Sequence, residues 1–472
     1  MRLRYLFLAL VLAGIAYLAL WPVPIDPVAW EPLDPPSTES GAHAYNEHLR
    51  GVERLAEGVG HGPEAIDIDD QGRLYTAFED GRVMRFDADG TDGKLLATTR
   101  GRPLGLDVMA DGSLIVADAI EGLLRVSDGY AYTLSVTADG KPYRFVDDVV
   151  VNADETVAYF TDASSKFGIH ETMANAFEHT PHGRVLAYDL ETDRVRVLAE
   201  DLYFPNGITL GPDEQYLLFN ETTRYQIKRH WLKGERAGET EVLVENLPGF
   251  PDNITFNGED RFWVALYAPR NPTLDALMPY PFLRKVAYRL PEAVQPLPEL
   301  HGYVLAISPE GELLADLQYA GEGAYGPITS AIEHDGALYL GSLSAPAIGR
   351  IALDALPALT PETPPDDASA APSGAAADAD AGPGGAAEPE AGAPESSGSA
   401  PDEGRSAETT DADAAADAAA DAAADDASTA DETELMKELQ RERAAQREAD
   451  DADAGDDAAD EGEAADTDAG AD

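Results

Sequence analysis

Residues 69–87 read DDQGRLYTAFEDGRVMRFD. A turn carrying Asp70 and Gly72 opens a short apolar run, Glu79, Asp80 and Gly81 reverse the chain, and a second run through Val83 and Phe86 returns. Gly beside Asp is tight-turn chemistry and the runs are of strand length, so the segment is a β-hairpin. Outward from it the plan recurs in MADGSLIVADAIEGLLRVS (109–127), NADETVAYFTDASSKFG (152–168), GPDEQYLLFNETTRYQIKR (211–229), NGEDRFWVALYAP (257–269) and EHDGALYLGSLSAPAIGRI (333–351). A lone hairpin cannot bury both its faces, whereas six packed side by side in a ring can. The expectation is an all-β fold, a six-bladed β-propeller over residues 51–357.

Two copies carry long insertions, at about 168–183 and 267–300. Long ordered insertions gather where ligands bind, and Leu274, Leu277, Met278, Phe282 and Leu283 of the second suit a helix over one mouth of the ring or plain packing against the blade.

The flanks differ in kind. Arg2 and Arg4 precede an uncharged run from Tyr5 to Trp21, so residues 1–21 are expected to form an N-terminal transmembrane helix. An uncleaved anchor is favoured over a cleaved signal because Trp-Pro-Val-Pro follows instead of a small-residue cleavage site. Basic residues ahead of the run place the N-terminus inside, leaving the propeller on the extracytoplasmic side of a cell membrane. Residues 22–50 read as an extended linker and 358–472 as a disordered acidic tail, because Ala, Asp, Glu, Gly and Pro there cannot bury enough apolar surface to offset ordering entropy.

Charge excludes several functions. The chain has 88 acidic and 33 basic residues, net −55. Residues 361–472 hold 34 acidic and 5 basic of these, so the folded part is acidic too. Nucleic acid would be repelled, and strong salt would screen the self-repulsion, which suggests a halophilic source. With no cysteine, disulfides, zinc thiolates and cysteine nucleophiles are excluded.

Propellers place functional groups where the first strands of the blades meet at the axis. Four segments entering such strands carry oxygen donors: GPEAIDID with Glu64, FVDDVVV with Asp147 and Asp148, YFPNGITL with Asn206, and PGFPDNITF with Asp252 and Asn253. Carboxylate and amide oxygens without nitrogen or sulfur suit Ca²⁺ or Mg²⁺, with Mn²⁺ also possible, and buried carboxylates converging on one point call for a cation. Each segment alone would pass for an Asx turn, but four recur in phase with the repeat.

These segments, with YFTDASSKFG (159–168) and above all ITSAIEHDGALYLGSLSAPAIGRI (328–351), resemble the strictosidine synthase-like branch of the propeller superfamily. That superfamily also holds senescence marker protein/gluconolactonase, the paraoxonases and diisopropyl fluorophosphatase. The resemblance implies a catalytic Ca²⁺ held by Glu64, Asp147, Asn206 and Asp252, with an Asp at 147 where the family usually has Asn. The glutamate that carries the synthase condensation falls on Thr329, so the resemblance does not extend to that chemistry.

The expected function is metal-dependent hydrolysis of a lactone or aryl ester, with Asp252 as base or nucleophile, Asn253 beside it and Ser330 in support. The alternative is a non-catalytic, metal-stapled propeller that binds another protein. His61, His170, His179 and His182 are weaker candidates for a base.

Overall fold

The computed structural model describes residues 2–291 and 300–359. Six four-stranded antiparallel sheets follow one another along the chain. Their first strands are Ile66–Ile68, Pro103–Val108, Val146–Val151, Pro205–Leu210, Gly249–Phe256 and Ile328–His334, and these adjoin around the axis. The sixth sheet is completed by Glu53–Leu55, which pairs antiparallel with Ile348–Ala352 and brings Glu53 to Arg350 at 2.6 Å. An N-terminal strand thus closes the ring onto the C-terminal blade, which removes the free edge a linear array would expose. The all-β, six-bladed expectation holds.

First strands of adjacent blades are not joined by a backbone ladder, so side chains make the joins. Asp67 accepts the Val108 N–H at 2.7 Å, Asp107 that of Val151 at 2.8 Å, and Asp148 that of Ile208 at 2.9 Å. Thr255 donates to the Ala331 carbonyl at 2.5 Å, and Thr329 and Ser330 donate to that of Glu64 at 2.8 and 2.7 Å. Close approach demands glycine at Gly207, where a Cβ would meet the Asp252 carbonyl oxygen at 2.6 Å, and at Gly341, where it would strike the Glu64 carbonyl.

Four helices lie outside the blades: α1 (Arg2–Leu20), α2 (Thr172–Glu178), α3 (Pro272–Leu277) and α4 (Pro281–Tyr288). The last three come from the two insertions. Asn271 caps α3 by accepting the Thr273 and Leu274 N–H groups at 3.0 Å, and Pro272 opens it. Phe167, Ala174 and Phe177 form a small separate core with Ile25, against which Leu274 and Leu277 pack.

Residues 22–50 contain no helix or strand, as an extended linker would. They do not stand free. The Asp26 N–H reaches Glu178 at 2.8 Å, Arg284 binds the Val28 carbonyl, the Trp30 N–H reaches the Met278 carbonyl at 3.2 Å, and Arg270 binds that of Leu33 at 2.8 Å. The segment is a strap over α2, α3 and α4, and Leu49 then enters the core of the sixth blade.

The transmembrane expectation for residues 1–21 is corrected. Among the described residues no helix is long and apolar enough to cross a membrane. α1 has 19 residues, and Arg2 and Arg4 occupy its first turn. At about 1.5 Å per residue the apolar remainder falls short of the roughly 30 Å hydrocarbon core. The disorder expected of residues 358–472 falls, from residue 360 onward, outside the described residues.

Ring closure gives a direct test. A chain beginning at residue 22 is expected to keep the cooperative calorimetric transition of the full chain, whereas one beginning at Ala56, without Glu53–Leu55, is expected to lose it.

Candidate functional site

Paired polar residues at the axis create a problem of direction, since neighbours on a regular strand face opposite ways. The structure solves it with β-bulges. The pairing of first and second strands shifts register between Val146 and Val149, between Pro205 and Ile208, between Pro251 and Ile254, and between Ile328 and Ser330. Each bulge holds a residue singled out from sequence, and a bulge is a standard means of re-aiming side chains.

Glu64, Asp147, Asn206 and Asp252 come together as the polar floor of one cavity of about 570 Å³. Its walls are Leu104, Phe145, Phe204, Phe250, Tyr267 and Leu343, and its roof is Met173 and Ala176 of α2 with Pro272 and Leu274 of α3. The insertions therefore do cover a mouth. None of the nine histidines lines it; His61 and His170 are exposed, and His179 is buried elsewhere.

The floor residues have clamped backbones and unpartnered tips. Thr329 and Ser330 hold the Glu64 carbonyl. Thr161 donates to the Asn206 carbonyl at 2.7 Å, and Asn220 to that of Asp252 at 2.5 Å. Meanwhile Glu64 Oε2, Asn206 Oδ1 and Asp252 Oδ1 are buried with no hydrogen-bond partner, as are both polar atoms of Asn253. Asp148 is different, because its carboxylate accepts the Ile208 and Val149 N–H groups, both at 2.9 Å. Of the Asp147–Asp148 pair, Asp147 faces the cavity and Asp148 joins blades.

Burial makes this floor electrostatically costly. It pushes Glu64 up to about 8, helped by Asp148 and opposed by the Arg102 guanidinium and the Asn253 amide. Burial, then the charges of Glu64, Asp252 and Asp148, hold Asp147 well above the usual carboxylate range. Asp252 is raised by burial and by Glu64, against the Asn206 amide. Arg102, whose Nη1 and Nη2 bind the Gly62 carbonyl at 3.1 Å, is the cation that most opposes the rise of Glu64.

Among the described residues, no three His, Asp or Glu side chains stand close enough to form a metal cluster unaided. The donor chemistry nevertheless fits a hard divalent cation. Three orphaned buried atoms at the floor are all oxygens from three different blades, and a cation would supply each with the partner it lacks.

Sequence reading missed the clamps and blade joints. Their signal was present, since Phe160-Thr161-Asp162 and Phe219-Asn220-Glu221 end equivalent second strands. In each the middle residue clamps a floor carbonyl, and the acid accepts an N–H of the strand entry, Phe145 at 3.2 Å and Tyr203 at 2.7 Å.

The family pattern for strictosidine synthase matches residues 147–235, and that for the strictosidine synthase-like N-terminal region matches 41–86. The chain is 35% identical to the mouse adipocyte plasma membrane-associated protein over 75% of its own length and 91% of that protein. It is also 35% identical to an Arabidopsis thaliana strictosidine synthase-like protein, over 75% of this chain and 97% of the other. Among solved structures, a gluconolactonase of Xanthomonas campestris aligns at a TM-score of 0.46 and 17% identity, over 71% of this chain and 99% of that one. On its sequence relatives, the chain belongs to the strictosidine synthase-like family of six-bladed β-propellers.

Proposed function

We propose that the protein is a divalent-cation-dependent hydrolase of lactones or aryl esters, with Ca²⁺ as the favoured ion. The observation that carries this reading is the set of orphaned buried oxygens, Glu64 Oε2, Asn206 Oδ1 and Asp252 Oδ1, facing a cavity with otherwise largely apolar walls. Glu64, Asp147, Asn206 and Asp252 would hold the ion, which when bound polarises an ester carbonyl and stabilises negative charge on its oxygen.

The chain's own groups account for the rest. Leu104, Phe145, Phe204 and Phe250 receive the apolar part of the ester and keep bulk water from the floor. Asp252, its backbone clamped by Asn220, takes a proton from the attacking water as that oxygen bonds to the carbonyl carbon. The carbon–oxygen bond to the leaving group then breaks, and the leaving oxygen gains the proton. Asn253 lies beside Glu64 and restrains its rise in pKa. Thr329, whose hydroxyl is spent on the Glu64 carbonyl, offers no carboxylate for a condensation.

α1 exposes Tyr5, Leu6, Phe7, Leu10 and Leu12, and Trp21 is exposed just after it. It suits contact with a membrane surface, in keeping with the printed name of the mouse relative.

Turnover of phenyl acetate and a panel of lactones by the full chain in high salt is expected to vanish with chelator and return with Ca²⁺. Asp252→Asn should lower it by about 10²-fold or more while leaving the circular dichroism spectrum unchanged. Ca²⁺ binding without turnover of any ester would favour the binding-protein alternative.

Stability should report the same floor. Glu64 and Asp148 are raised to about 8 and about 7, so the folded, cation-free chain holds protons that the unfolded chain has released. Their contribution is therefore fully present below the unfolded carboxylate range and is lost as pH rises through 7 to 8. The melting temperature of chelated protein is expected to fall from pH 5 to 8.5, and added Ca²⁺ to raise it far more at pH 8.5 than at pH 5.

A further inference from the structure

Behind the roof, where the strap, α2, α4 and the fourth blade meet, polar groups are again buried without partners, but here they belong to cationic and amide-bearing side chains. His179 stacks on Trp30 at 4.3 Å and tilts against Tyr203 at 4.9 Å. The Arg224 guanidinium lies over the same two rings, 4.9 Å from Trp30 and 3.8 Å from Tyr203, so His179 and Arg224 share one aromatic slot. Arg284 binds the Phe177 and Glu178 carbonyls at 2.9 and 3.1 Å, immediately before His179 in the chain. The Asn175 carbonyl accepts the His179 N–H at 2.8 Å.

Asn175, His179 and Arg284 are 3%, 2% and 0% exposed. Asn175 Nδ2, both ring nitrogens of His179, Arg224 Nε and Arg284 Nε have no hydrogen-bond partner. Apart from one imidazole nitrogen, which can only accept when the ring is neutral, all are donors.

No nearby carboxylate is free to answer them. Glu178 is taken by Lys166, Thr180, His182 and the Asp26 N–H. Glu221 is taken by the Tyr203 N–H, Gln226 and Lys228, and Asp275 by Arg270 and Tyr225. Neither Arg224 nor Arg284 forms an ion pair among the described residues. The Glu178 charge acts on Arg284 across a distance, but neither guanidinium is ion-paired, and water on the orphan donors would add no charge to offset them.

We propose that Asn175, His179, Arg224 and Arg284 form a binding site for a small oxyanion, a phosphate or a single carboxylate group, distinct from the cavity floor. Guanidinium and amide N–H donors are the chemical complement of oxyanion acceptors, and the Trp30 and Tyr203 rings keep Arg224 oriented. Burial first, and then the charges of Arg224 and Arg284, hold His179 far below its usual pKa. Because Trp30 belongs to the strap and Ala176, next to Asn175, to the cavity roof, an occupied site ties strap and roof together.

Inorganic phosphate titrated into the full chain at constant ionic strength tests this by calorimetry and thermal melting. Saturable binding is expected, with a rise in melting temperature, and at least 10-fold weaker binding in Arg224→Gln. Arg229→Gln, altering a guanidinium already paired with Glu241, should bind as the unaltered chain does. Asn175→Asp places a carboxylate within the site and should abolish phosphate binding while raising the phosphate-free melting temperature. No saturable binding, or unchanged affinity in both Arg224→Gln and Asn175→Asp, would overturn the proposal.

Discussion

Strands that converge on a propeller axis belong to different sheets, so the inner edge of every blade presents backbone groups that no ladder satisfies. Water has little access there, and an unpaired buried N–H costs on the order of 1–3 kcal/mol. This molecule answers with side chains that reach across to the next blade: Asp67, Asp107 and Asp148 accept N–H groups, and Thr255, Thr329 and Ser330 donate to carbonyls. The buried carboxylates of the axis are first of all a solution to an edge problem. The candidate site grows out of it, because the bulges that let Asp148 turn toward the next strand also turn Asp147 toward the cavity.

That dependence explains what the sequence could and could not disclose. Turn chemistry is local, so DDQG and EHDG announce hairpins from a few residues, and six in series leave little choice of fold. Floor residues were legible because an oxygen-bearing side chain at the mouth of an apolar strand is conspicuous when it recurs in phase with the repeat, alone at Glu64 and Asn206 and paired at Asp147-Asp148 and Asp252-Asn253. The division of labour between Asp147 and Asp148 was not, since it depends on a register shift against the second strand. The strap was not legible either: residues 22–50 have the composition of a spacer, and scattered apolar residues such as Ile25, Trp30 and Leu49 were the signal of docking. The terminal run misled through its apolarity, because it is free of charge from Tyr5 to Trp21 and yet too short as a helix to cross a bilayer.

Charge connects these features. The floor gathers Glu64, Asp147 and Asp252, with Asp148 behind them and Arg102 nearby, while Arg224 and Arg284 behind the roof form no ion pair among the described residues. The two clusters are of opposite sign, and among the described residues no ion pair joins them. Each is therefore a separate local imbalance. Paired internally they would have formed a buried salt-bridge network, stable without any ligand, with tips already satisfied.

Leaving both clusters open has a consequence for the cavity itself. Its roof hangs from the strap through Glu178, Arg284 and Trp30, so roof rigidity depends on the cationic cluster, whereas the ionisation of its floor depends on the acidic one. On the proposed function, a cation at the floor would bring Asp252 to the ionised form that can accept a proton, and an anion behind the roof, as proposed, would fix the walls that exclude water from that transfer. The two proposed occupants would act on different requirements of one reaction, charge state and enclosure, and each could be lost while the other is kept.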